Sequence, residues 1–255
     1  RGNPYKFGMV GASDTHTGAI SDDESNFTSK IGIFDGTPEG RGSAPLTGEN
    51  LELVLQAPIR QLNLKKIGDR YFNNAVFNQW GASGLAAVWA EENTRNSIFE
   101  AFRRKETYAT SGTRIKLRFF AGYELDGSLL DSDDVVKQAY EKGVPMGQDL
   151  ESSDGAKPSF LVWALRDKNS APLQRVQIIK GWVDRITGKP YEEVIDIMCS
   201  DGLIPDPETN RCPDNGALVD ISDCSISSDV GANELKTVWT DDSFNPSVKA
   251  FYYVR

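Results

Sequence analysis

The hydrophobic period of this chain changes once, near residue 115, and that change limits the architectures open to it. After Thr110-Ser111-Gly112, apolar and polar residues alternate in Ile115-Lys116-Leu117-Arg118-Phe119 and in parts of 174–182. Ser159–Leu165, 191–198 and 249–254 are further strand candidates, separated by Gly, Pro, Asn and Asp. Residues 116–255 therefore read as a β-rich, sandwich-like domain. The aromatic residues Trp163, Trp182, Trp239, Phe251, Tyr252 and Tyr253 are expected in its core, with a sugar-binding face as the alternative.

Before residue 115 the pattern is different. Phe7-Gly8-Met9-Val10-Gly11-Ala12 is an unbroken apolar run of the kind found in a strand buried on both faces of a parallel sheet. A polar loop, Ser13-Asp14-Thr15-His16-Thr17-Gly18, follows at once, and 19–48 reads as one long irregular loop. Two weakly amphipathic stretches, about 49–66 and 69–80, are broken by Pro58 and Gly68, and 84–90 predicts a second buried strand. Residues 94–106 predict a helix capped by Thr94 or Asn93, with Ile98, Phe99 and Phe102 on its core-packing face and Glu100 four residues before Arg104. The acidic run Asp131-Ser132-Asp133-Asp134 reads as a helix start; its alternative, a calcium loop, lacks the ligand spacing.

Composition removes several function classes. The chain of 255 residues carries 37 acidic and 28 basic residues, a net charge of −9, with the basic residues scattered. That leaves no electrostatic footprint for nucleic acid or an anionic membrane surface. No run approaches the roughly 18–20 apolar residues of a transmembrane helix, and Arg1-Gly2-Asn3-Pro4 lacks the apolar core of a signal peptide. With no Met at position 1, the chain reads as a piece of a longer polypeptide. Its single histidine rules out a self-sufficient His-rich metalloenzyme.

The three cysteines lie late and form no C-x-x-C pair, which argues against structural zinc. A disulfide closing an exposed loop is the expectation, Cys199 with Cys212 first, leaving Cys224 free or exchanged. Such a bond points to a periplasmic or extracellular setting; three free thiols are the alternative. Asn26-Phe27-Thr28 matches a glycosylation sequon.

Asp14 and His16, at i and i+2 beyond the end of the first apolar run, would project to one side. That is where open α/β sheets and α/β barrels place their active sites. A carboxylate and an imidazole converging there suit a divalent metal such as Zn or Mn, or an acid–base pair. The alternative is a loop Asp capping backbone amides beside a solvated His. Arg114 at a strand start could grip a substrate phosphate or carboxylate, or pair with a carboxylate of the protein. Glu91 and Glu92 follow the 84–90 strand; one is a candidate metal or substrate ligand, the other a helix N-terminal charge.

The segment from Asn3-Pro4-Tyr5-Lys6 through Ala12-Ser13-Asp14-Thr15-His16-Thr17-Gly18 resembles the last metal-binding motif of the PHP (polymerase and histidinol phosphatase) superfamily, in the form found in the DUF3604 family. Val88-Trp89-Ala90-Glu91-Glu92-Asn93-Thr94-Arg95, Arg104-Lys105-Glu106-Thr107-Tyr108-Ala109-Thr110-Ser111-Gly112-Thr113-Arg114, Gln177-Ile178-Ile179-Lys180-Gly181-Trp182, Val238-Trp239-Thr240-Asp241 and Ala250-Phe251-Tyr252-Tyr253 extend the likeness over nearly the whole chain. The resemblance implies a distorted (β/α)7 barrel and metal-dependent hydrolysis, typically of phosphoesters. It makes 1–115 the C-terminal portion of the barrel and 116–255 a β-rich accessory domain. Of the family's ligand motifs only the Asp-x-His is present.

The leading expectation is therefore the C-terminal part of a PHP-like metal-dependent hydrolase, inactive alone. Asp14 and His16 would be metal ligands, Arg114 and Glu91 substrate contacts, and the missing N-terminal part of the same polypeptide its first partner. The small substrate would be phosphoester-like, and a homodimer could cover an open barrel core. The competing expectation is a secreted, non-catalytic binding or structural module that contacts glycan or protein through the β-rich domain.

Overall fold

A computed structural model describes residues 6–16, 18, 31–32, 35–57, 63–74, 84–220, 222–223 and 225–255. The chain divides into two compact units, one of residues 1–9, 88–108 and 113–255, the other of residues 10–87 and 109–112.

The larger unit is organised by strand β7, Ser159–Leu165, whose run of apolar residues is buried almost end to end. Because strand side chains alternate, such a strand must be covered on both faces. It pairs antiparallel with β5, Lys116–Gly122, on one side and with β10, Glu234–Thr240, on the other. The short strand β6, Gly143–Pro145, completes the four-stranded order β10-β7-β5-β6. On one face Phe119, Phe160, Val162, Ala164 and Leu235 meet Val176 and Ile178 of a second antiparallel sheet in one apolar cluster. That sheet has β8, Arg175–Val183, at its centre, flanked by β11, Ala250–Val254, and β9, Pro190–Cys199. A bulge between Val176 and Gln177 keeps β8 and β9 in step.

The opposite face of the four-stranded sheet carries Phe120 and Leu161. A short 3-10 helix, Gly127–Asp131, and a helix, Val135–Lys142, cover them through Leu129, Val135 and Ala139, together with Leu125 just ahead of the 3-10 helix. The residues before that helix include the acidic run at 131–134, which thus does precede a helix.

In the 88–108 part of the same unit, the helix Arg95–Arg104 starts where Thr94 accepts a hydrogen bond from the Ser97 amide and ends in a left-handed Lys105 at φ 62°. Its expected core face is not a core: Phe99 is 56% and Phe102 43% exposed, and Ala101 is its buried residue. The apolar spacing signalled a helix, but Phe99 is met by the Arg103 guanidinium, 5.9 Å from its ring centre, rather than by a core. Arg104 pairs with Glu106 at 3.4 Å, and Glu106 also faces Arg118 at 3.6 Å.

The smaller unit contains the helix Gly48–Leu55 and a hairpin of β1, Leu64–Ile67, with β2, Arg70–Asn73. Asn73 ties the hairpin to the preceding loop by donating to the carbonyls of Glu39 and Gly40 at 3.0 and 3.2 Å. With these, the helices are α1 (Gly48–Leu55), α2 (Arg95–Arg104) and α3 (Val135–Lys142). Strands β3, Leu85–Val88, and β4, Thr107–Thr110, form a further two-stranded sheet.

The apolar run 7–12 forms no ladder among the described residues, and Phe7, Met9 and Val10 are exposed, Phe7 by 71%. The small residues in the run serve close backbone approach instead: a Cβ at Gly11 would sit 2.6 Å from the Leu85 carbonyl oxygen and 2.9 Å from that of Thr110. A strand buried on both faces needs neighbours that cover those side chains, and the described residues supply none. The protein is thus a mixed, β-rich structure with few helices, and no closed barrel is present among the described residues.

The Phe160 ring lies 4.4 Å from Tyr252, 5.7 Å from Phe119 and 5.8 Å from Trp239, so it joins both sheets. Phe160→Ala is expected to lower the unfolding free energy by about 3–5 kcal/mol, measured by urea denaturation. A loss below about 1 kcal/mol would place the core elsewhere.

Candidate functional site

Asp14 and His16 sit in the smaller unit, in the irregular segment after the apolar run. Ser13 and Thr15 are half-buried and hydrogen-bond to each other through their hydroxyls at 2.8 Å, while Asp14 and His16 are both exposed. Asp14 has φ 60°, in the left-handed region that Asp tolerates better than most residues. Among the described residues neither Asp14 nor His16 has a hydrogen-bond or ion-pair partner. This differs from the capping role open to a loop Asp, because no backbone amide among the described residues donates to Asp14.

A pair of exposed, uncommitted donors of mixed O and N type is chemically suited to a borderline divalent ion. Two donors are fewer than the three or more protein ligands of a catalytic zinc site. Among the described residues no group of three or more His, Cys, Asp or Glu side chains is placed to hold a metal ion. The described residues therefore do not fit a complete metal centre.

Glu91 and Arg114 belong to the other unit. Glu91 lines a cleft of about 510 Å³ with Glu92, Ser97, Glu100 and Arg104, along one side of α2. The Ser97 hydroxyl accepts from the amides of Glu91 and Glu92 at 3.1 and 3.2 Å, which fixes the turn that presents both carboxylates. Three carboxylates face one guanidinium that is already paired with Glu106, so this lining disfavours an anionic phosphoester. Arg114 is not part of that lining; its amide donates to the Asp167 carboxylate at 3.0 Å, and that contact with the charge of Arg114 helps hold Asp167 below the ordinary carboxylate value.

A disulfide joins Cys199, the last residue of β9, to Cys212, with the Cα atoms 5.7 Å apart. Cys224 and the Asn26-Phe27-Thr28 sequon lie outside the described residues. Next to the disulfide, Asp196 is buried and accepts from four donors: the Cys212 amide at 2.7 Å, Gln177 at 2.6 Å, Arg175 at 3.2 Å and Arg211 at 3.3 Å. Burial pushes its carboxyl up, but these bonds together outweigh burial and hold it below 3.8.

A third cluster was not legible as a site in the sequence. Lys180 of β8 and Asp241, just past β10, are both buried and lie 2.7 Å apart between the two sheets. Tyr252 of β11 donates to the same Asp241 oxygen at 2.6 Å, and the Ser243 amide and hydroxyl donate to the other at 3.0 and 2.8 Å. Burial and the neighbouring Asp241 carboxylate push the Tyr252 phenol far up. These residues come from three separate stretches, and only the sheet pairing brings them together.

Of the aromatics expected in the core, Trp239 and Tyr252 pack against the inter-sheet cluster and Trp163 against the helix-covered one. Phe251 does not: it is 58% exposed, lies over Gly181, and stacks near-parallel on Tyr253 at 6.3 Å. Its strand position points it to the outer face of the three-stranded sheet, opposite the face that carries Tyr252.

The family profile described as "Protein of unknown function (DUF3604)" matches residues 1–255. No curated protein and no solved structure matches the chain. Among the described residues no helix is long and apolar enough to cross a membrane.

Because the folded-state pKa of Asp196 lies below its unfolded value, its contribution to stability is fully present above about pH 3.8 and is lost as pH falls through the depressed value. Asp196→Asn is expected to flatten that acid limb and to cost about 1–3 kcal/mol at neutral pH, read by urea denaturation at several pH values. An unchanged acid limb would show that the carboxylate is not held this way.

Proposed function

Since the chain belongs to the DUF3604 family over its full 255 residues, we propose that it is the C-terminal part of a metal-dependent hydrolase resembling the PHP phosphoesterases. In this reading Asp14 and His16 contribute two ligands for Zn or Mn. The remaining ligands come from a preceding part of the same polypeptide that completes a PHP-like barrel. The observation that carries the reading is the exposure of both side chains, without partners among the described residues, on the motif the family resemblance marks as ligating. The absence of a third donor nearby among the described residues supports the further reading that the chain alone is inactive. The Cys199–Cys212 bond favours an oxidising compartment, periplasmic or extracellular.

The test compares two proteins on bis-para-nitrophenyl phosphate with added Zn or Mn. The longer polypeptide that contains this chain is expected to turn over, and His16→Ala to lower its rate by about 100-fold or more, since even loss of an outer partner of a metal ligand typically costs 10–100-fold. The 255-residue chain is expected to show no turnover. Turnover by the chain alone that His16→Ala abolishes, or a longer polypeptide indifferent to His16→Ala, would overturn the proposal.

One observation favours a second reading, a non-catalytic binding module. The Phe251 ring offers an exposed apolar platform beside Tyr253 on the outer face of the three-stranded sheet, suited to stacking on a sugar ring. Under that reading the chain is retained on an insoluble polysaccharide and Phe251→Ala releases it. Passage of the unaltered protein across a panel of such polysaccharides without retention removes the glycan version.

A further inference from the structure

The cluster between the two sheets has a composition that a simple ion pair does not need. Lys180 lies in the central strand β8, with Tyr252 directly across on β11 and Glu193 directly across on β9, so all three share the inward face of the sheet. The Lys180 and Asp241 side chains are only 7% and 1% exposed. The lysine also donates to the Ser243 hydroxyl at 2.9 Å, and its nitrogen lies 5.5 Å from the Trp182 ring centre and 6.0 Å from that of Tyr252. An amine and a carboxyl are thus held in contact in a nearly dry space with aromatic walls.

We propose that Lys180 and Asp241 form an intramolecular isopeptide bond that ties β8 of the three-stranded sheet to the end of β10 in the four-stranded sheet. This goes beyond the hydrolase reading and does not depend on it. Burial penalises the charged pair, and the 2.7 Å contact is the path along which a proton passes from Lys180 Nζ to Asp241 Oδ2, leaving a neutral amine and a neutral acid. The amine lone pair then attacks Asp241 Cγ. Negative charge develops on Oδ1, where the Ser243 amide and hydroxyl already donate, in the arrangement of an oxyanion hole.

The Cγ–Oδ2 bond breaks as Oδ2 takes a second proton, and it departs as water. Tyr252, donating to Oδ2, stands on the leaving side, and Glu193 is a second carboxylate on the same face to relay the proton from nitrogen. The step balances without an added reactant. Of the three ammonium protons, two leave with Oδ2 as water and one stays on the new amide nitrogen. Nothing is oxidised or reduced.

The test is the intact mass of the chain, reduced at its disulfide and denatured. The unaltered protein is expected to be lighter than its sequence by one water, and digestion to give a branched peptide joining the segments around Lys180 and Asp241. Asp241→Asn is expected to lose one ammonia instead, because the amide nitrogen becomes the leaving group, and Lys180→Arg to carry its full mass. An unaltered protein at full sequence mass overturns the proposal, whether or not either variant folds. So does a water loss that persists in Lys180→Arg, which would place the dehydration elsewhere.

Discussion

The structure of the larger unit depends on one strand being apolar on both faces. β7 presents Phe160, Val162 and Ala164 to the second sheet and Leu161 to the helix layer, and its partner β5 repeats the pattern with Phe119 and Phe120. A strand of that kind cannot lie at a surface without exposing one row of large side chains. The three layers follow: the three-stranded sheet on one side, the four-stranded sheet, and the 3-10 helix with α3 on the other. Edges are then left to strands that tolerate water. β10, with Glu234, Lys236 and Thr240 along it, is such an edge, and Lys236 lies over the Trp163 ring at 5.0 Å to help cover the outer row.

This division of labour explains what the sequence did and did not reveal. The central strands were legible because burial on one or both faces writes itself as apolar residues: β7 was expected at Ser159–Leu165, and β8, β9 and β11 within a residue or two of their positions. β10 gives a weaker signal because, as an edge, it turns only Leu235 and Trp239 to the inter-sheet core and Val238 to the helix layer, among Glu234, Lys236, Thr237 and Thr240. The run 7–12 shows the opposite error. Its apolar residues look like a buried strand, yet Gly8 and Gly11 are there because backbone or side-chain atoms of neighbouring segments come too close for a Cβ. Apolar and small is a pattern shared by buried strands and by tightly approached coil, and periodicity alone does not separate them.

Candidate chemistry was legible only where it is local. Asp14 and His16 are two residues apart, so their shared presentation follows from a few backbone angles, and the spacing could be read directly. The Lys180 cluster is written in no single motif: Lys180, Asp241 and Tyr252 lie in three separate segments of the chain. Its members become neighbours through the antiparallel registers of β8 with β11 and β9, and through the packing of one sheet on the other. In the 174–182 stretch Lys180 sits at an inward position where alternation asks for an apolar side chain, and a charged residue there was a signal that a partner must be buried beside it.

The unit buries two carboxylates beside the three-stranded sheet, and comparing them shows why a covalent outcome belongs to one only. Asp196, on the outer face, is held by Arg175 and Arg211, whose side chains are 29% and 44% exposed. Those guanidiniums remain charged whatever their surroundings, offer no nucleophile, and keep contact with water, so the carboxylate persists as an ion fixed by directed hydrogen bonds. Asp241 faces an amine instead, and both partners are withdrawn from solvent. An amine can give up its proton and then has a lone pair to offer, which a guanidinium does not. Charge pairing and bond formation are two ways of relieving the same burial cost, and the identity of the cation decides which of them is open.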